Sequence, residues 1–235
     1  MAIERHAALV QYPSSDGEPM ADNTRQFQWI VTIQGGIDAL FKDDPAIFVA
    51  GDLLWYPVEG RPDIRRAPDA MVVFGRPKGH RPSYMQWAEG NIVPQVVFAV
   101  RSPKNSHAEL GRKRQFYETY GVEEYYLYDP DNGELTGWQR GGDRLSVIEQ
   151  IEGWVSPRLG VRFGLHDGEL LLNTPDGSSF LSYVELARRR EAAEHARTAA
   201  EHARTAAEHA RATEHERAER MATRLRELGI NPDTL

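Results

Sequence analysis

The apolar positions of the first 75 residues predict one helix followed by strands. Apolar side chains recur at helical spacing over 27–33, and Asp22 or Asn23 can cap a helix there. A pair of glycines at 35 and 36 interrupts this pattern, which resumes toward Leu40. Apolar, β-branched stretches bounded by Gly and Pro then predict strands over 47–58 and 70–75.

A second helix is predicted between two further strands. The stretch 95–102 is apolar enough for a strand buried on both faces. Ser106 and Glu109 have the spacing of a capping box, and Gly121 is a suitable helix stop. The aromatic stretch 123–129 predicts the next strand. This order favours an α/β core whose last connection is a crossover.

The segment 133–183 has a different pattern of short strands and tight turns. Its hairpin-type dipeptides are Gly141-Gly142, Asp167-Gly168 and Asp176-Gly177. We therefore expect a β-meander that extends or buttresses the core sheet.

The C-terminal segment is a sequence repeat. AEHARTA occurs at 193–199 and 200–206 and then degrades to AEHARAT. Ala, Glu and Arg are strong helix formers, so one helix of about 65 Å is predicted from residue 185 to residue 228. Small residues form a heptad stripe along it: Ala192, Ala196, Ala199, Ala203, Ala206 and Ala210.

This stripe predicts a thin coiled coil that self-associates, most simply as a dimer. Alanine buries little area per turn, so register slippage or a solvated single helix is the alternative. The histidines at 195, 202 and 209 lie seven residues apart, about 10 Å along the axis, too far to share one metal ion. The predicted domains are 1–184, the α/β domain, and 185–235, the helical tail.

Composition restricts the classes of function. The chain has 40 % hydrophobic and 27 % charged residues, as a globular protein does, and no Cys, which excludes disulfides and thiol chemistry. The N-terminal sequence lacks the apolar core of a signal peptide, and no apolar run is long enough for a bilayer. We expect a cytoplasmic protein that does not associate with membranes.

The net charge of −7 argues against a nucleic-acid partner, but the charge distribution does not. Between Arg61 and Arg114 the chain has 11 Lys and Arg and 4 Asp and Glu, a local charge of +7. If these cations fold onto one face they can neutralise phosphates. The alternative is a dispersed set of solvated surface charges. The candidates for nucleic-acid binding are Arg65, Arg66, Arg76, Lys78, Arg101 and Lys104.

Two residues stand out as candidates for phosphodiester chemistry, which needs a carboxylate-bound cation and a positive charge near the phosphate. Asp69 follows Pro68 at the start of an apolar strand, although an acid there can also be a simple turn residue. Lys113 shares one helix face with Leu110 and Tyr117. A Lys in an apolar stripe either extends to solvent or faces an anion.

The sequence resembles a known family in several stretches. They are GDLLWYPVEG, RRAPDAMVVFGRPKG, PQVVFAVRSPKN, KRQFYETYGVEEYYLYDP and GWVSPRLGVRF, with LRELGINPD at the end of the tail. These words are similar to the Uma-two family of restriction endonucleases, within the PD-(D/E)XK nuclease superfamily. The resemblance implies a restriction-endonuclease-like fold: a mixed sheet flanked by helices.

The resemblance also implies roles for individual residues. Asp69 matches the Asp of the PD motif, a metal ligand, and Lys113 matches a Lys that such sequences carry on the following helix. Asp52 is a weaker candidate as an accessory metal ligand. The implied cofactor is Mg²⁺ or Mn²⁺, bound weakly, and the implied partner is DNA, read with little sequence information.

One departure bears on activity. Where the family has VVFEVLSP, this chain has VVFAVRSP, so Ala99 stands at the position of the second catalytic acid and Arg101 stands two residues on. Strand alternation puts both on one face. The sequence therefore predicts a metal-dependent DNA endonuclease impaired at its metal site. The alternatives are a catalytically inactive DNA-binding relative and a scaffold that self-associates through its tail.

Overall fold

The structure, a computed structural model, describes residues 10–15, 17 and 19–229. The N-terminal stretch considered for a signal peptide lies partly outside these residues, and so does the end of LRELGINPD. The chain divides into two compact units between Ser182 and Tyr183. No helix within the described ranges is both long enough and apolar enough to cross a membrane.

Three α-helices occur in the described residues: α1 Thr24–Leu40, α2 His107–Thr119 and α3 Tyr183–Glu227. The predicted N-caps of the first two are observed, whereas the Glu109 carboxylate of the predicted capping box accepts a hydrogen bond from Asn105 Nδ2 at 3.2 Å. Asn23 accepts a hydrogen bond from the Gln26 amide at 2.8 Å, and Ser106 Oγ accepts one from the Glu109 amide at 3.2 Å. Each cap satisfies one amide that the first helical turn leaves without a partner.

The strands in the same residues are β1 Ile47–Ala50, β2 Trp55–Tyr56, β3 Ala70–Phe74, β4 Tyr84–Met85, β5 Val96–Val100, β6 Glu124–Asp129, β7 Glu134–Gly141, β8 Arg144–Val147, β9 Arg162–His166 and β10 Glu169–Asn173. A short 3₁₀ helix, Gln86–Glu89, follows β4. Six strands form the main sheet in the order β1-β3-β5-β6-β7-β8. Within it β5 and β6 are parallel and the other neighbours are antiparallel, so α2 is the predicted crossover.

The predicted meander divides between two sheets. β7 and β8 extend the main sheet, whereas β9 and β10 form a separate two-stranded sheet. The turn between β9 and β10 has positive φ at Asp167 (50°) and Gly168 (80°), as a tight hairpin requires. Phe163 and Leu172 of this hairpin are buried in the main core, so it buttresses the sheet.

Alternation along the strands gives each face of the main sheet its own core. One core contains Val72, Phe98 and Tyr126 and packs against α1 and the β9–β10 hairpin. The other contains Met71, Val97, Ala99, Tyr117 and Tyr125 and packs against α2. Side chains at the β5 end of this second core therefore meet the α2 helix.

Two predicted elements differ from the observed ones. The glycines at 35 and 36 do not interrupt α1, because the Phe180 ring covers Gly36 and would lie 2.3 Å from a Cβ there. The predicted strand 47–58 is broken, because the chain turns at Asp52, where φ is +49°. Distant packing explains the first difference, and a left-handed turn explains the second.

Candidate active site

Asp69 lies where β3 begins, beside the end of β5. Ala70 pairs with Phe98 in the antiparallel ladder, and extending this register by one residue sets Asp69 across from Ala99. The Val100 amide donates a hydrogen bond to Asp69 Oδ2 at 2.6 Å. The sheet therefore fixes this carboxylate at the edge of the core that faces α2.

The surroundings of Asp69 favour its neutral form. Burial raises the pKa of Asp69 to about 6, against the smaller lowering effects of the Lys113 charge and the Val100 amide. The charge of Asp52 raises it further. A buried carboxyl group at a cavity, with one neighbouring charge that raises its pKa and another that lowers it, is typical of a functional site.

Asp52 enters the same cavity from the turn after β1. Its φ of +49° is uncommon for a residue with a side chain and costs about 1–3 kcal/mol. The Asp52 amide donates to the Pro68 carbonyl at 3.0 Å, which ties this turn to the segment before Asp69. The fold thus brings two acidic side chains into one cavity.

Lys113 reaches the cavity from α2. It is half-buried, and no carboxylate lies within 4.0 Å of its ammonium group among the described residues. Its charge lowers the pKa of Asp69, and it contributes to lowering the pKa of Asp22, after the larger effects of Lys104 and Ser102. Lys113 is therefore near Asp69 and Asp22 without an ion pair to either.

Asp69, Asp52 and Lys113 line one cavity, together with charged residues of both signs. The other acids on its wall are Asp22, Asp63 and Glu109, and the other cations are Arg65, Arg66, Lys104 and Arg112. Ala99 does not line it: the side chain is 3 % exposed and packs in the core below. Strand β5 therefore contributes no carboxylate to this cavity.

The six cations predicted to bind nucleic acid do not share one environment. Arg65, Arg66 and Lys104 line the cavity, whereas Arg76, Lys78 and Arg101 lie outside its wall. Four of the six form ion pairs: Arg76 with Glu89 at 2.7 Å, Lys78 with Asp38 at 2.8 Å, Arg101 with Asp129 at 2.7 Å and Lys104 with Asp22 at 2.7 Å. Three of these four acids lie outside the basic segment, so distant parts of the chain neutralise part of its positive charge.

Four of the cations without an ion pair meet at the cavity. Within the described part of the chain, Arg65, Arg66, Arg112 and Lys113 have no carboxylate within 4.0 Å, and all four line its wall. The Arg66 guanidinium lies over the Phe116 ring, 5.7 Å from its centroid, and the buried Arg66 Nε has no hydrogen-bond partner among these residues. Arg112 was not selected from the sequence, although its place beside Lys113 on α2 was a usable signal.

The donor set allows a divalent cation to bind only weakly. Mg²⁺ is commonly held by one or two carboxylates, with water and substrate phosphates completing its ligands. Asp52 and Asp69 supply two. In residues 10–15, 17 and 19–229, no group of three His, Cys, Asp or Glu side chains is placed to hold an ion. The residues fit a cation completed by water and phosphate rather than one enclosed by protein.

Comparisons with known proteins identify the family of the globular unit. The Uma2 family model, described as "Putative restriction endonuclease", matches residues 19–173, a stretch that includes Asp69, Ala99 and Lys113 and ends before α3. No curated protein matched the chain. The chain is similar to a crystal structure of a "putative nuclease" belonging to DUF820 from Anabaena variabilis, with 14 % identity and a TM-score of 0.43 over 60 % of this chain and 74 % of that one.

Proposed function

Since the chain belongs to the Uma2 family, we propose that its globular unit is a metal-dependent DNA endonuclease whose hydrolytic activity is impaired at Ala99. Asp69, Asp52 and Lys113 form the site in this proposal, and DNA phosphates enter the cavity that they line. The observation that carries it is the convergence of the half-buried Asp69, a cation near it and three further cations without ion pairs.

Each residue has a distinct task in phosphodiester hydrolysis. Asp69 and Asp52 would hold Mg²⁺ or Mn²⁺, which would supply polarisation of the phosphate and a more acidic bound water. Asp69, once ionised, supplies the negative charge that holds such an ion, and Val100 fixes the direction of that carboxylate. Lys113 stabilises the charge that develops on the phosphate, because its ammonium group has no carboxylate partner to neutralise it.

The arginines hold the neighbouring phosphates. Arg65, Arg66 and Arg112 line the cavity without ion pairs, and guanidinium groups pair well with phosphate oxygens. These contacts involve the DNA backbone rather than base edges, so they carry little sequence information. The duplex is therefore held by charge, with low selectivity among sequences.

The impairment follows from the residue opposite Asp69. With Ala99 on β5, the second carboxylate of the site has to come from the strained turn at Asp52. Loss of one metal ligand costs several kcal/mol of transition-state stabilisation, a rate effect of about 10³-fold or more. We therefore expect DNA binding to persist where cleavage is slow.

Arg101 contributes less to this impairment than its place in the sequence indicates. Arg101 follows β5 and forms an ion pair with Asp129. The negative charge of Asp129 offsets that of Arg101, so Arg101 has little electrostatic effect on Asp69. Ala99 is thus the principal difference between this site and the family pattern.

The second candidate function is a DNA-binding protein without catalytic activity that self-associates through α3. The same unpaired cations favour it, because they need no metal to bind phosphate. The α3 helix has no buried residue within its described range, so its Ala stripe is available to a second copy.

One experiment separates these functions. Purified chain is incubated with plasmid DNA in Mg²⁺ or Mn²⁺ and, in parallel, tested for retention of labelled duplex at low salt, with Asp69→Asn as the matched control. Slow cleavage that Asp69→Asn abolishes supports the endonuclease. Retention without cleavage supports the binding protein. If the chain neither retains nor cleaves DNA, both DNA functions are rejected and the self-associating scaffold is the remaining hypothesis.

A further inference from the structure

Two buried tyrosines lie beneath Asp69 on the α2 side of the sheet. Tyr117 of α2 and Tyr125 of β6 are 1 % and 0 % exposed, and their ring centroids are 4.9 Å apart. Tyr125 also stacks on Trp138, with 5.0 Å between ring centroids. Both rings are thus held rigidly by the core that includes Ala99.

The Tyr125 hydroxyl has no hydrogen-bond partner among the described atoms. Other buried tyrosines of the same domain do have one: Tyr126 donates to Glu124 Oε2 at 2.9 Å, and Tyr84 donates to the Ile92 carbonyl at 2.7 Å. A buried hydroxyl without a partner is destabilising, and such groups in native proteins commonly mark a water, an ion or a functional contact.

Asp69 lies on the same face of the sheet as Tyr125, because Asp69 is across from Ala99 and Ala99 packs in one core with Tyr125. Burial and then the negative charge of Asp69 raise the pKa of the Tyr125 phenol, which places the carboxylate within electrostatic range. The phenol therefore stays protonated at neutral pH and acts as a donor. Asp69 Oδ2 accepts from Val100, whereas Oδ1 accepts no hydrogen bond from a described residue.

Ala99 makes this contact possible. It lies across from Asp69 and packs in the same core as Tyr125, so β5 places no long side chain between the phenol and the carboxylate. The opposite face of β6 shows the same chemistry already formed, since Tyr126 donates to the buried Glu124 there.

We infer that Tyr125 is a positioning residue for Asp69: one buried water links its hydroxyl to Asp69 Oδ1 and holds the carboxylate toward the cavity. This inference rests on the proposed function, because it assigns Tyr125 to the same site. Together with the Val100 amide it gives each carboxylate oxygen one donor. Partners of this kind typically change metal affinity by about 10-fold or more when removed.

The test is a double-mutant cycle between Tyr125→Phe and Asp69→Asn, with thermal melting and Mn²⁺ titration as the two measurements. We expect Tyr125→Phe to lower the melting temperature and to weaken Mn²⁺ binding by about tenfold. Both effects should shrink in the Asp69→Asn background, because the neutral amide oxygen of Asn is a weaker acceptor than an ionised carboxylate.

Tyr126→Phe is the matched control. It removes a phenol that has a carboxylate partner on the opposite face of β6, so its melting effect should be the same in the parent chain and in the Asp69→Asn background. It should leave Mn²⁺ affinity unchanged.

Two results overturn the inference. If Tyr125→Phe raises or leaves unchanged the melting temperature, the hydroxyl is an orphan whose removal relieves the core. If it lowers the temperature equally in both backgrounds, its role is structural packing alone. A chain that binds no Mn²⁺ contradicts the metal-dependent function, but the melting cycle still decides the role of Tyr125.

Discussion

The Val100 amide and the Asp69 carboxylate are joined across β5 and β3 by a 2.6 Å hydrogen bond. This bond anchors the acid to the strand that lacks a carboxylate of its own, because the residue across from Asp69 is Ala99. The anchoring amide and the missing ligand thus belong to neighbouring residues of one strand. The site consequently keeps the orientation of its first acid while lacking its second.

Restoring the second acid should raise metal-dependent cleavage. We expect Ala99→Glu to increase the plasmid cleavage rate in Mg²⁺ or Mn²⁺ by about 10³-fold, since it returns a carboxylate opposite Asp69. Ala99→Gln, with the same size and no charge, is the control. Adding Asp69→Asn or Lys113→Ala to the Glu variant should remove the gain.

Burial of residue 99 requires a folding control for this prediction. Ala99 is 3 % exposed, so a longer side chain has to displace neighbours to reach the cavity. Thermal melts of the Glu and Gln variants show whether the fold is retained. Arg101 is best left unchanged, because Arg101→Leu leaves the buried Asp129 without its ion-pair partner. A well-folded Glu variant without cleavage on several DNA substrates contradicts the endonuclease.

Asp69 should make stability depend on pH in a defined direction. Its folded pKa of about 6 lies above the usual 3.8, so the folded state holds this proton more tightly than the unfolded chain does. The resulting stabilisation is complete below about pH 4 and is lost as the pH rises through 6. Asp69→Asn should therefore raise the free energy of unfolding at pH 8 by up to about 3 kcal/mol, with little effect at pH 4.

Denaturant unfolding of both chains at the two pH values measures this difference. Asp63→Asn is the contrasting control, because the hydrogen bond from Arg61 lowers the pKa of Asp63 and its removal should not stabilise the protein at pH 8. An equal effect of Asp69→Asn at pH 4 and pH 8 contradicts the assigned pKa.

DNA retention should depend steeply on salt and on the cavity cations. Contacts with phosphates release counterions, so binding seen at roughly 50 mM salt should be lost near 300 mM. Arg66→Ala or Arg112→Ala should each reduce the slope of log affinity against log salt by about 1. Arg114→Ala is the matched control, since Arg114 has no ion pair in the described residues and does not line the cavity.

Equal retention at both salt concentrations contradicts phosphate binding. An equal loss in all three variants places the contact surface outside the cavity and favours a general charge effect.

The elements that the sequence predicted well are those set by local signals. The α2 helix begins after Ser106 because its cap and the apolar face around Tyr117 lie within a few turns of one another. The predicted α/β fold is confirmed as well, because α2 lies between the parallel strands β5 and β6 and forms their crossover. The continuity of α1 was not predictable, because Phe180 covers Gly36 from 144 positions away.

The candidate site was predictable in part. Asp69 and Lys113 come from distant segments; the strand-start acid and the Lys on an apolar helix face selected them as candidates, and the family resemblance then implied their roles. The ion pairs that neutralise some of the cations could not be predicted from the sequence, because their acidic partners Asp38 and Asp129 lie outside the basic segment. The orphan phenol of Tyr125 depends on three-dimensional packing and carries no local signal.

The α3 helix should drive self-association through its Ala stripe. Ala199 and Ala203 belong to the stripe, whereas Thr198 and Thr205 lie elsewhere on the helix and donate to carbonyls one turn back. Two Glu side chains in the stripe would be desolvated and would repel the same charges of a second copy, which costs far more than the weak packing of alanines. We therefore expect the full chain to be a dimer by light scattering and Ala199→Glu/Ala203→Glu to be a monomer. Thr198→Glu/Thr205→Glu, with the same added charge, should remain a dimer. A monomeric parent chain contradicts the coiled coil, and an unchanged dimer in the Ala variant places the interface in the globular unit.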